Sequence, residues 1–186
     1  MQDIYYKNHQ HQANLRKKNQ RGSTFIELIL YIALLSLFLT GAVLFGWDIV
    51  FGAAKAHVQR EVNQNIRLAT KRIVYETRNA SSILSVAPTS VCLASADAAR
   101  NPTRIYSNAG ALRLAWGGGS VNCTSMTNDQ PLTSADVSVT SLVFTNRSAL
   151  PETRNLEYSL TIGSTAARQE WQHSQSVSGA VELRSN

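Results

Sequence analysis

Cysteine, histidine and proline are scarce in this 186-residue chain, and each shortage closes off a class of function. Only two cysteines occur, Cys92 and Cys123. Two thiolates cannot complete a four-ligand zinc site by themselves. The four histidines are His9, His11, His57 and His173, and no pair of them stands at metal-ligand spacing. Neither Gly-x-Ser-x-Gly nor His-Glu-x-x-His is present. Serines are so frequent that a Ser–His–Asp assembly in space would leave no trace in the sequence. The chain therefore reads as a non-enzyme, with no cofactor and no metal. Proline is absent before Pro88, so none interrupts a long N-terminal helix.

Charge is present but lopsided. The net charge is +6, and residues 1–22 hold Lys7, Arg16, Lys17, Lys18 and Arg21 against Asp3 alone. That leader carries +4, which leaves +2 for the remaining residues. The high overall pI thus belongs largely to the leader and argues against nucleic-acid binding by the rest of the chain as a whole. From Phe25 to about Phe45 nearly every residue is apolar, with Glu27, Tyr31, Ser36 and Thr40 as interruptions. Roughly 20 apolar helical residues cross a bilayer core, so this run can span. Basic residues on its N-terminal flank keep that flank in the cytoplasm and send the C-terminal part outside. An ordinary secretory signal is the rival reading, and Ala54-Lys55-Ala56 offers a cleavage-like site. Its apolar region, however, runs only about 7–15 residues.

Glu27 is the residue that needs a reason. A charge at the bilayer centre costs on the order of 2.5–3.5 kcal/mol on insertion scales. Two plain explanations are available: a carboxylate complementing a helix N-terminus, or one placed at headgroup level. A third comes from its surroundings, Arg21-Gly22-Ser23-Thr24-Phe25-Ile26-Glu27-Leu28. Here a basic run ends in Gly22, and Glu27 is fifth after it. This stretch resembles the N-terminal signal of type IV pilins and pseudopilins, in which the chain is cut after Gly and the fifth residue of the mature chain is Glu. Thr24, Ile26, Glu27 and Leu28 match the family pattern residue for residue. Ser23 stands where Phe is commonest, and Phe25 where Leu is common.

The resemblance implies cleavage between Gly22 and Ser23 by prepilin peptidase, N-methylation of Ser23, and a role for Glu27 in subunit assembly. A glycine before the cut leaves the scissile backbone open to close approach. The new Ser23 ammonium and the Glu27 carboxylate stand four residues apart, on one face of a helix. Other pilin or pseudopilin subunits and the cytoplasmic membrane are the implied partners. Any surface or DNA ligand of the outer domain is left open. The absence of a membrane-proximal proline, the long leader, and a resemblance of residues 67–83 to the helix end of minor pilins and J-type pseudopilins favour a minor pilin or pseudopilin. A single-pass, signal-anchored binding module that forms no filament is the alternative.

Beyond Asp48 the spacing predicts an amphipathic helix, with Val58, Val62, Ile66, Ala69, Ile73, Thr77, Ala80 and Leu84 along one face. Arg60, Glu61, Arg67, Lys71, Arg72, Glu76 and Arg78 lie largely elsewhere. One helix from about Ser23 to Ser82 follows, ~90 Å long at ~1.5 Å per residue. Gly41, Gly46 and Gly52 are its expected soft points. Short alternating runs then predict strands at Ser90–Ala94, Arg104–Ser107, Ala111–Trp116, Val137–Thr145, Leu156–Ile162 and Val177–Arg184. Asn108-Ala109-Gly110 should turn a hairpin. Gly117-Gly118-Gly119 lacks the Lys-Ser/Thr ending of a phosphate loop and reads as a turn. Asn79, Asn122 and Asn146 open glycosylation-like triplets expected by chance in so polar a stretch. Arg100, Arg104, Arg113, Arg147, Arg154 and Arg168 read as a solvated surface more than as a basic patch.

The expected fold is α+β: a long N-terminal helix, membrane-spanning in its first half, packed on an antiparallel sheet as in pilins. The expected divisions are a cleaved leader (1–22), a transmembrane and filament-core segment (23–50), an amphipathic helical segment (51–84) and an extracytoplasmic sheet domain (85–186). Outside the cytoplasm a Cys92–Cys123 disulfide is the default, with buried free thiols as the alternative. The expected location is the cytoplasmic membrane and then a pilus or pseudopilus filament.

Overall fold

The structure is a computed structural model that describes residues 24–118, 122–149, 154–166, 168 and 171–184. The expected leader therefore lies outside the described residues, and so do Gly22 and Ser23. The chain divides into two compact units, Met1–Val50 and Phe51–Asn186. Helix α1, Phe25–Arg78, contributes to both.

In the first unit the described residues are almost wholly α1. Its large apolar side chains, Phe25 through Val50, are all exposed. The hydroxyls that interrupt the run are satisfied locally: Ser36 Oγ donates to the Ala33 carbonyl (2.9 Å) and Thr40 Oγ1 to that of Ser36 (2.8 Å). A helix that closes its own hydrogen bonds, side-chain hydroxyls included, is what a hydrocarbon environment demands.

In the second unit the remainder of α1 packs against two antiparallel sheets. Val62, Ile66, Ala69, Ile73 and Thr77 are buried, as their three- and four-residue spacing predicts. The helix stops at Arg78, earlier than the expected Ser82. Ala80 and Leu84 continue the helical stripe on paper, yet they belong to strand β1, Ala80–Ala87. Asn79, Ser81 and Ser82 favour non-helical backbone, and pairing with β2 gives that backbone its partners.

One sheet is a meander in the order β1–β5. After β1 come β2 (Ser90–Ser95), β3 (Thr103–Asn108), β4 (Ala111–Trp116) and β5 (Asn128–Pro131). The second sheet is β6 (Val137–Asn146), β7 (Asn155–Ser164) and β8 (Ser174–Glu182). A single sheet was the expectation, and there are two. The β3–β4 hairpin turns on Ala109 and Gly110, at φ of 50° and 76°, as a two-residue turn with both central residues left-handed requires.

Backbone hydrogen bonds join the sheets. The N–H of Val139 donates to the Gly110 carbonyl (2.7 Å), and that of Phe144 to the Pro88 carbonyl (2.9 Å). Strand β6 thus leans on the turns of the first sheet. Leu156, Tyr158, Leu160 and Ile162 alternate inward along β7 and join Val91, Leu93, Ile105, Leu112 and Leu114 in one core with the helix.

Candidate functional site

The first turn of α1 builds the site. The Thr24 carbonyl accepts the N–H groups of Glu27 (2.9 Å) and Leu28 (3.2 Å), which starts the helix. Glu27 thereby sits in the first turn, where free backbone N–H groups and the helix dipole favour negative charge. Tyr31, one turn on, donates its hydroxyl to Glu27 Oε1 at 3.4 Å. That bond is long for O–H···O, whose usual range is about 2.5–3.0 Å. The Tyr31 contact was missed in the sequence, although its four-residue spacing was there to be read. Phe25, Ile26, Leu28, Ile29 and Leu30 flank Glu27 in sequence and are exposed.

Cys92 and Cys123, the other paired prediction, form a disulfide with Cα atoms 6.0 Å apart. Cys92 lies in β2, and Cys123 lies in the connection between β4 and β5 with a left-handed φ of 51°. Both are buried. The bridge ties the β4–β5 connection to the second strand of the meander. Among the described residues no group of three or more histidine, cysteine or acidic side chains could hold a metal ion.

The six scattered arginines each meet a partner within the fold, and Arg104 and Arg113 share the Tyr106–Asp129 pair. Arg100 binds Glu76 (2.7 Å) and stacks over Trp116. Arg104 lies over the Tyr106 ring. Arg113 binds Asp129 (3.0 Å) and Arg147 binds Glu157 (2.7 Å). Arg154 donates to the Ser81 carbonyl (2.7 Å), and Arg168 covers Trp171.

Asp129 also accepts the Tyr106 hydroxyl at 2.6 Å. Burial alone would push the Asp129 carboxyl up, but the hydrogen bonds from Tyr106 and Arg113 hold it below the usual carboxylate range. Burial, and then the bond to that carboxylate, raise the Tyr106 phenol. Glu76 is a correction to the helical pattern. It was placed off the buried face, yet it is buried, with Arg72 and Arg100 both 2.7 Å from Oε1.

A family model described as the prokaryotic N-terminal methylation motif matches residues 17–43. It is the signal of type IV pilins and pseudopilins. No curated protein and no solved structure matches the chain. The match covers Lys17, Lys18 and Arg21, the Gly22-Ser23 pair and most of the apolar segment of α1. In this motif and in its α+β architecture the chain is similar to type IV pilin-like proteins. The motif implies processing by prepilin peptidase, and the apolar helix implies a membrane anchor with the sheet domain outside the cytoplasm.

Proposed function

We propose that the chain is a structural subunit, a minor pilin or pseudopilin, of a type IV pilus-like or type II secretion-like filament. The single observation that carries this reading is Glu27, held in the first turn of an apolar helix within the matched methylation motif. Its Tyr31 contact is weak, so the carboxylate retains most of its capacity for a partner.

Residues 1–22 are a leader removed after Gly22, and Ser23 becomes the N-methylated amino terminus. Cleavage creates a positive charge four residues before Glu27, where the precursor has only a peptide bond. In an apolar bundle an unpaired charge is expensive, so each group seeks a partner. The Glu27 of an incoming subunit pairs with the Ser23 ammonium of a neighbour and sets its register. Methylation keeps that charge while enlarging the group. Residues 23–50 then supply the filament core, 51–84 the link to the outer domain, and 85–186 the surface.

Mass spectrometry of the N-terminus tests the reading. A chain beginning at methylated Ser23 is expected, whereas an intact Met1 would leave a signal-anchored binding module. Substituting Gly22 should leave uncleaved precursor in the membrane. Glu27→Ala should still be cut but enter filaments poorly, and normal incorporation of that variant would remove the charge-pairing role.

A further inference from the structure

The four edges of the two sheets are not treated alike. Natural sheets guard their edges with bulges, prolines, charges, short strands or a covering segment, because an open edge invites another strand. Edge β1 carries register shifts at Ala80/Ser82 and Ile83/Ser85. Edge β5 is four residues long and ends at Pro131. Edge β6 gives its outward N–H groups at Val139 and Phe144 to the turn carbonyls of the neighbouring sheet. Among the described residues, edge β8 has none of these devices between Ser174 and Glu182; past its end the outward N–H of Arg184 meets the Arg78 carbonyl (3.3 Å). It runs nine residues, Ser174 to Glu182, without proline, and Glu182 is its only charge. Its pairing with β7 has no register shift.

The direction of its free backbone groups follows from the ladder. The N–H of Ser164 donates to the His173 carbonyl, and that of Leu183 to the Arg154 carbonyl. In an antiparallel pair, inward and outward hydrogen bonding alternates residue by residue. The odd-numbered residues of β8 therefore bond to β7. Ser174, Ser176, Ser178, Ala180 and Glu182 turn their N–H and C=O groups outward.

That outward set is symmetric about Ser178. We propose that β8 is an interface with a second copy of this chain, formed by antiparallel pairing of two β8 strands about Ser178. In this register Ser178 pairs with itself, Ser176 with Ala180, and Ser174 with Glu182. Every outward N–H and C=O then finds a partner. Near the centre the side chains that meet are small, Val177 faces Gly179, and no like charges are opposed along the strand. Parallel pairing would set Glu182 against Glu182. The product is one sheet of six strands with β8 at its centre.

Cysteine cross-linking of the full chain in detergent reads this register, because Cys92 and Cys123 are already bonded to each other. Hydrogen-bonded partners stand ~5.5 Å apart between Cα atoms, inside the disulfide range of roughly 4.4–6.8 Å. Ser178→Cys should give a dimer band that reduction removes. Ser176→Cys and Ala180→Cys should cross-link when mixed but not singly, since each would lie ~14 Å along the strand from its own copy. Adding Ser178→Pro to both members of that mixture should abolish the band. Proline there removes an outward N–H and leaves the β7 ladder intact. Val143→Cys, at an exposed position of β6, serves as the background. The proposal is overturned if Ser178→Cys stays monomeric, if it cross-links no better than Val143→Cys, or if it captures only another protein.

Discussion

Helix α1 carries two carboxylates near its two ends, and they are handled in opposite ways. Glu76 is buried and held by two arginines, each 2.7 Å away. Glu27 stands among exposed apolar side chains with one hydroxyl contact of 3.4 Å. Glu76 is thus satisfied within the chain, and its purpose is served once the domain folds. Glu27 has capacity left over. The difference separates a residue that fixes a fold from one that, on the proposed function, waits for an assembly, although the two share a helix and a side chain.

The comparison can be broken from either end. The largest stability effect should come from opening the disulfide that closes the outer domain. Cys92→Ser with Cys123→Ser is expected to cost about 3–4 kcal/mol on the chain-entropy model, read from the denaturant midpoint. Glu76→Ala should follow. It leaves two cations facing each other in a half-buried setting, and a loss of about 2–3 kcal/mol is expected after allowing for partial exposure of both arginines. Glu27→Ala should leave that midpoint unmoved. If both glutamates moved it equally, the division between folding and assembly would fail.

Smaller effects sharpen the same contrast. Tyr31→Phe removes one weak hydrogen bond and should change filament incorporation by no more than about 0.5 kcal/mol, or roughly twofold. Asp129 offers a titration. Its folded carboxyl is depressed, so its contribution is present above the unfolded value and is lost as pH falls through the folded one. Asp129→Asn should flatten the acid limb of a stability–pH curve slightly, because the group is near the surface. The alkaline limb carries Tyr106, whose raised phenol contributes stability that is present below the ordinary tyrosine value and is lost as pH rises through the raised folded one.

Much of this was legible in the sequence, and the failures have physical causes. Val62 to Thr77 could be read because the helical period and one buried face coincide. Strand β7 could be read because one of its faces is covered, which forces alternation. Strand β5, Asn128–Pro131, is exposed at every position, so it has no apolar signal and exists only through its ladder with β4. Strand β8 was placed late, at Val177–Arg184, because its first residues are polar and are held by backbone bonds to β7. The burial of Glu76 was hidden because its second cation, Arg100, arrives from the loop before β3. The division into two sheets was equally hidden, since it depends on which strands meet across long stretches of chain. At the candidate site the position of Glu27 was plain from its distance to Gly22, and the Tyr31 contact was there in the spacing.

The bonds from Val139 and Phe144 to the turns at Gly110 and Pro88 carry a consequence of their own. Surface turns ordinarily drift in length between relatives, because nothing counts their residues. These two are counted, since the distance from each strand end to its docked carbonyl is fixed. Gly110 is held to glycine by its left-handed φ of 76° and by Ser138 Oγ, 2.6 Å from where a Cβ would stand, and an inserted residue at either turn would unhook one sheet from the other. When relatives of this chain are aligned, gaps should avoid 88–89 and 109–110. In this domain constancy of turn length, with glycine at 110, marks the joint between the sheets.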